Sequence, residues 1–288
     1  MTNSPKPTFS KANVRAAYQL RYHFGWYTKG RRPTFANNAL HSKLESKMQE
    51  LATSANYHLL GLDVEPYVVR CLLSLQPTDS PESVTRKFKG NLAASLRSDG
   101  VQNLWSRGWF VRSNGSVTDD IIRAYIDNQA EHHRAAPIRN PSIMEKSRHH
   151  LSADVDEIRK SSHAAFQYNV HFVFSVRNHF DFLDPTLEHK LIQFWLAVCQ
   201  RKGWIGWNIE VVWNHVHLLI GLTPGVSPEE AALSLLNNAE YWFFERYRAV
   251  MLMDGLDSVF QAGYYTGTCG AATTAQIKRY LDSQVDPD

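Results

Sequence analysis

The 288-residue sequence predicts an α+β chain made of two tandem copies of one domain. Three observations predict it. Landmarks return in the same order at a nearly constant offset, strand-like and helix-like patterns alternate within each copy, and a polar stretch with prolines lies between the copies. Ala16-Ala17-Tyr18-Gln19 returns as Ala164-Ala165-Phe166-Gln167, and His23-Phe24 returns as His171-Phe172, both displaced by 148 residues. Pro77 with Ser80-Pro81-Glu82 returns as Pro224 with Ser227-Pro228-Glu229, displaced by 147. Gly108-Trp109-Phe110 matches Gly263-Tyr264-Tyr265, and the segment from Tyr125 to Gln129 matches that from Tyr280 to Gln284, both displaced by 155. Unrelated segments would not hold these landmarks in register. The domains are therefore set at 12–134 and 163–288, with a linker over 135–162.

Each copy reads as strand, helix, strand pair, helix and a terminal helix. Tyr18 to Thr28 and Phe166 to Val176 are aromatic and β-branched with partial alternation, which predicts strands. His41 to Ala55 and Thr186 to Lys202 have helical periodicity, and Leu60 to Leu75 and Ile205 to Leu222 hold two short strands each. After them, Ser80 and Ser227 stand as N-caps, with proline at the first helical position and glutamate in the first turn. The linker has several charges and little sustained periodicity, and its histidine pairs, His132-His133 and His149-His150, read as solvent-exposed.

Composition excludes some classes. A hydrophobic content of 43% suffices for two cores, and no apolar run approaches the length of a membrane span. With no signal peptide, and with Cys71, Cys199 and Cys269 an odd set lacking CxxC spacing, the expectation is a cytoplasmic protein with reduced thiols. The net charge is only +3, but its distribution is uneven. Val84 to Arg97 carries Arg86, Lys87, Lys89 and Arg97 and no acid, whereas the matched window Ala231 to Phe244 carries only Glu240. Such a helix is either a solvated face or a surface that contacts nucleic-acid phosphates.

The chemistry concentrates at His215 and His217. In a strand, residues i and i+2 share a face, so the two imidazoles stand side by side while Val216 enters the packed side. That suits two ligands on one divalent ion, although two partly exposed strand histidines have the same spacing. The matching positions in the first copy are Val68 and Arg70, which carry no imidazole. Tyr125 with Gln129 and Tyr280 with Gln284 are four apart, which places a phenol and an amide on one helix face. An ordinary amphipathic helix with a half-buried tyrosine would read the same way.

Taken together, these residues resemble the single-tyrosine HUH transposases, the insertion-sequence-200-like and REP-associated family. The resemblance rests on Val170-His171-Phe172-Val173-Phe174, Asn214-His215-Val216-His217-Leu218-Leu219-Ile220, Pro224 with Ser227-Pro228-Glu229, the Gly-aromatic-aromatic turn, and Ile277 to Gln284. In the first copy it rests on Arg86 to Gly90, Leu104 to Phe110 and Ile122 to Gln129. The resemblance implies ferredoxin-like HUH domains with central antiparallel sheets, paired here as an internal pseudo-dimer within a monomer, with further oligomerisation left open. It also implies single-stranded or hairpin DNA as partner, no membrane, and cleavage by a tyrosine that leaves a 5′-phosphotyrosine and a free 3′-hydroxyl. Mg²⁺ or Mn²⁺ would be held by His215, His217 and a glutamine, Gln129 or Gln284, with Tyr125 or Tyr280 as nucleophile. Arg86, Lys87, Lys89 and Arg97 would contact DNA.

The chain departs from that pattern by fusing two copies and losing one histidine pair. The favoured expectation is a DNA-nicking, strand-transferring enzyme with one competent site. The alternatives are a domesticated or decayed relative that binds hairpin DNA without cutting it, and an interaction protein with no nucleic-acid role.

Overall fold

Where the sequence reads one strand at the start of each copy, the chain forms two, parted by a single buried residue. The structure, a computed structural model, describes residues 9–115, 147–151, 155–177, 185–212, 215–253 and 255–270. The first copy runs β1 (Arg15–Gln19), β2 (Arg21–Tyr27), α1 (Asn38–Ser54), β3 (His58–Glu65), β4 (Val68–Ser74), α2 (Pro81–Leu96) and β5 (Trp109–Asn114). Two short strands follow, β6 (Ser147–His150) and β7 (Arg159–Lys160), within the stretch read as linker. The second copy runs β8 (Ala164–Gln167), β9 (Asn169–Ser175), α3 (Pro185–Lys202), β10 (Ile205–Val212), β11 (His215–Gly221), α4 (Pro228–Met253) and β12 (Gly263–Cys269).

Each copy has four antiparallel strands at the heart of its sheet, in the orders β3-β4-β2-β5 and β10-β11-β9-β12. With one helix after the first strand and one after the third, this is the ferredoxin-like arrangement. Sequence patterning missed the last of the four. Gly108-Trp109-Phe110 and Gly263-Tyr264-Tyr265 do not form turns; they lead into β5 and β12, whose burial is nearly continuous rather than alternating. A strand covered on both faces lacks the period-two signature.

The helices begin as their caps predict. Ser80 Oγ accepts the Ser83 N–H at 3.2 Å. Ser227 and Glu230 make a full capping box: Ser227 Oγ accepts the Glu230 N–H at 3.2 Å, and Glu230 Oε2 accepts the Ser227 N–H at 3.0 Å. Tyr22, Phe24 and Trp26 of β2 and Phe172 and Phe174 of β9 are fully buried and belong to one hydrophobic cluster that runs through both copies. The two halves therefore share a core.

The edges of the two sheets are exchanged. β1 pairs in parallel with β12 of the second copy, and β8 pairs in parallel with β5 of the first, so neither six-stranded sheet is wholly antiparallel. The pivots are Leu20 and Tyr168, both fully buried, whose carbonyls accept the N–H of Leu75 at 3.0 Å and of Leu222 at 2.8 Å. The exchange covers the last strand of each ferredoxin-like unit, which would otherwise present an open row of backbone donors and acceptors.

At the centre of the exchange the two copies make the same contacts on each other. Gly115 and Gly270 trade backbone hydrogen bonds at 3.1 and 3.0 Å. Ser113 Oγ donates to Cys269 O at 2.7 Å and accepts the Asn169 N–H at 3.1 Å. In the mirrored positions, Thr268 Oγ1 donates to Asn114 O at 2.7 Å and accepts the Arg21 N–H at 3.0 Å. Further out, the Glu82 N–H donates to Pro224 O at 3.0 Å and the Glu229 N–H donates to Pro77 O at 2.9 Å, so the start of each long helix is tied to the other copy. The chain is an internal pseudo-dimer.

Both seam glycines are required by space and by backbone conformation. Their φ angles are 154° and 156°, and a Cβ on Gly115 would lie 2.5 Å from the Thr268 carbonyl oxygen. A backbone oxygen cannot move aside cheaply. Gly115→Ala and Gly270→Ala are each expected to lower stability by about 1–3 kcal/mol, read as a lower midpoint in urea. A midpoint unchanged in both variants would show that the seam is not close-packed.

Candidate metal centre and its vacated counterpart

The imidazoles of His215 and His217 converge on the face of the second sheet that looks away from the helices. β11 runs antiparallel to β9 and β10, placing His215 opposite Ser175 and Val212, and His217 opposite Val173 and Glu210. Val216 between them is fully buried. The two Nε2 atoms are 2.9 Å apart and the rings are 4.7 Å between centroids at 73°. Two cis nitrogen ligands at about 2.1 Å from one octahedral ion would be about 3.0 Å apart, so the pair fits a shared divalent cation. Among the described residues, no group of three or more His, Cys, Asp and Glu side chains forms a metal cage. The donor set here is two imidazole nitrogens, leaving any further ligand to come from elsewhere.

A third histidine joins the pair from the neighbouring strand. His171 of β9 places its Nε2 3.2 Å from His217 Nδ1, the ring nitrogen on the far side from His215, and the two ring planes lie within 21° of each other with centroids 5.3 Å apart. His171 is buried, and that burial, together with the nearby His217, pushes its pKa down to about 3. It is therefore neutral at ordinary pH. Sequence reasoning used His171 as a repeat landmark and as part of the resemblance, without assigning it a place at the site; the β9–β11 register that brings it to His217 is not local to either segment. Beside it, Gly267 of β12 leaves the sheet face without a side chain.

The first copy fills the same face with arginines. Arg70 stands at the His217 position, directly opposite Asp63 across the β3–β4 ladder, and is only 4% exposed. Its Nη1 donates to Asp63 Oδ2 at 2.5 Å and to Glu65 Oε1 at 3.0 Å. Burial by itself would lower the Arg70 pKa, but the Glu65 and Asp63 carboxylates outweigh it and hold the guanidinium firmly charged. Arg112 occupies the place of Gly267 and pairs with Asp156 at 2.9 Å. His23, the counterpart of His171, has its Nε2 3.3 Å from Asn114 Nδ2. Burial, then the charge of Arg112, lowers its pKa. A fixed cation held by carboxylates has replaced the imidazole pair.

The basic helix differs in one respect from its sequence reading. Arg86, Lys87 and Arg97 are exposed on or just past α2. Lys89 is not available to a partner. Its Nζ donates to Ser106 O at 2.6 Å and also lies within reach of the Arg107 and Gly108 carbonyls, and burial lowers its pKa to about 8. The position is a peg for the loop before β5, and the helical spacing that puts Lys89 beside Arg86 could not reveal it. Glu240, the one charge of the matched window, is likewise internal: its carboxylate accepts the Val259 N–H at 3.1 Å and the Phe260 N–H at 2.7 Å. Burial pushes it up to about 7 against the pull of those two donors. Tyr125, Gln129, Tyr280 and Gln284 lie outside the described residues, as do Asn214 and the His132-His133 pair.

Replacing Arg70 tests the ion-pair reading of the vacated site. Arg70→Ala leaves Asp63 and Glu65 facing each other without a cation. Because Asp63 is half exposed, the expected loss is about 1–3 kcal/mol, less than for a fully buried pair. Chemical denaturation at pH 7 measures it, and a loss that persists at 1 M salt separates a buried contact from a screened surface one. No loss at either salt would mean that the guanidinium is not held by these carboxylates.

The model of a family described as "Transposase IS200 like" matches residues 16–129 and 164–284, once in each copy and over more than half of the chain. Among solved structures, a transposase candidate from Deinococcus radiodurans R1 is 27% identical, covering 42% of this chain and 95% of its own, with a TM-score of 0.29. A REP-associated tyrosine transposase bound to a REP hairpin is 16% identical, covering 46% of this chain and 76% of its own, also with a TM-score of 0.29. No curated protein matches the chain. Among the described residues, no helix is long and apolar enough to cross a membrane. With both copies matched by the family model, the chain belongs to the IS200-like transposase family.

Proposed function

We propose that the chain nicks single-stranded DNA and transfers the cut strand through a 5′-phosphotyrosine, with a single competent site at His215 and His217. The observation that carries this reading is the asymmetry of the two copies. One sheet face presents two imidazole Nε2 atoms 2.9 Å apart; the same face of the other copy is filled by Arg70 with Asp63 and Glu65. His215 and His217, with Gln129 or Gln284, would hold Mg²⁺ or Mn²⁺, whose charge when bound polarises and orients the scissile phosphate. The phenol oxygen of Tyr125 or Tyr280 then bonds to phosphorus as the bond from phosphorus to the 3′-oxygen breaks. The phenol gives up its proton, and the departing oxygen takes one to become a free 3′-hydroxyl. Hairpin-bearing single strands are the proposed substrate.

Two arrangements bring a tyrosine to the site, an exchanged one and one within the second copy. The described chain leaves β5 at Gly115 and β12 at Gly270, and these residues pair with each other. In the exchanged arrangement, Tyr125 and Gln129 of the first copy serve His215 and His217.

His215→Ala with His217→Ala is expected to abolish cleavage of a hairpin library while leaving hairpin affinity nearly unchanged, because phosphate contacts supply most of the affinity. Equal loss of both would mean that the pair is structural. Hairpin binding without cleavage by the native chain would identify it as a decayed relative. Loss of the covalent adduct in Tyr125→Phe supports the exchanged arrangement; its retention there, with loss in Tyr280→Phe, overturns it.

The exposed cations of α2 give a separate test. Changing Arg86, Lys87 and Arg97 to glutamine should weaken DNA binding and flatten its salt dependence by roughly one unit of slope per lost contact. Lys89→Gln should instead lower stability, since its ammonium caps carbonyls inside the fold. An unchanged slope in the triple variant would make that helix a solvated face.

A further inference from the structure

We infer that His171 is a positioning residue for the metal pair: its Nε2 accepts a hydrogen bond from His217 Nδ1–H and so turns His217 Nε2 toward the ion. The inference rests on the reading of His215 and His217 as ligands. Three observations carry it. His171 Nε2 meets the Nδ1 of His217, not the Nε2 that faces His215, so His171 cannot share an ion with the pair and instead holds the ring from behind. The ring planes lie within 21° of each other with centroids 5.3 Å apart, so the contact between the two nitrogens is nearly in plane and sets the orientation of the His217 ring. His171 itself is buried between β11 and β12, and its Nδ1 has no hydrogen-bond partner among the described residues, leaving His217 as its one polar contact there.

The first copy supplies the contrast. His23 occupies the same strand position, but Arg70 replaces the ligand and offers no imidazole, and His23 bonds instead with Asn114. The histidine of the first strand orients a ring only where there is a ring to orient. A metal-binding imidazole whose other nitrogen is held by a partner typically loses 10- to 100-fold in metal affinity, roughly, when that partner is removed.

The test uses the full chain with Co²⁺ as a visible probe and Zn²⁺ as a diamagnetic one. His171→Phe keeps the ring shape and removes the acceptor; His171→Gln places an amide oxygen near the position of Nε2. Co²⁺ absorption titrations should show affinity falling about 10- to 100-fold in His171→Phe and largely restored in His171→Gln. In Zn²⁺-loaded, ¹⁵N-histidine-labelled protein, a slowly exchanging Nδ1–H proton of His217 should be present in the native chain and the Gln variant and absent in the Phe variant. Should the Phe variant fail to fold, the native and Gln spectra still decide: no such proton in either overturns the inference. Equal Co²⁺ affinity in a folded Phe variant also overturns it. Co²⁺ binding that survives His215→Ala with His217→Ala is a different failure, that of the metal-pair reading itself.

Discussion

Two glycines meeting backbone to backbone set the plan of this molecule. Gly115 and Gly270 approach so closely that neither has room for a Cβ, and Ser113 and Thr268 beside them each bridge to the opposite copy. Once that seam closes, β5 and β12 lie side by side at their ends, and each can take a parallel neighbour only from the strand that the other copy sends across. The pivots at Leu20 and Tyr168 follow from the same requirement, since one strand cannot stay in register with both sheets. Neither six-stranded sheet is complete without a strand from the other copy, and the hydrophobic core is continuous between them. A covalent connection keeps the effective concentration of the halves high, so an interface that separate subunits must find by diffusion is formed within one chain.

Within this nearly symmetric frame the two sheet faces carry opposite chemistry. One presents imidazole nitrogens, backed by a buried histidine and flanked by a glycine; the other is a lattice of guanidinium and carboxylate groups. Asp63 and Glu210 occupy matching positions, and both are ion-paired, but with different partners. Asp63 holds Arg70 on the adjacent strand, whereas Glu210 holds Arg148 on β6, at 2.9 Å. The same acidic position therefore anchors a cation in both copies. In the second copy that cation comes from the outer strand, leaving the His217 position free to be an imidazole.

Much of this was legible in the sequence, because the repeat offset, the capping signals and the His-Val-His triplet are local. Ser80 and Ser227 cap the helices as read, and α1 and α3 begin within a few residues of their periodic patterns. What escaped was non-local. β5 and β12 are covered on both faces and lose their alternation. The split at Leu20 and Tyr168 is dictated by pairing with the other copy, which no window of sequence contains. Lys89 and Glu240 count as charges in any tally, yet one caps loop carbonyls and the other takes two backbone amides within the core. His171 lies 46 residues from His217, and only the β9–β11 register brings the rings together.

The asymmetry also explains how a histidine pair could be lost at all. In a symmetric dimer of identical subunits, a substitution that removes the imidazoles removes them from both faces at once, and a cation such as Arg70 would then occupy every metal position. Joining the copies breaks that coupling: Val68 and Arg70 alter one face and leave His215 and His217 untouched. Asp63, across the ladder from the vacated position, then has an uncompensated charge on a half-buried face. A guanidinium opposite it satisfies that charge, and Glu65 adds a second acceptor. Arg70 thus satisfies two carboxylates in the position that its counterpart, His217, fills with an imidazole. The seam allows this difference because its backbone contacts are the same whatever the two sheet faces carry.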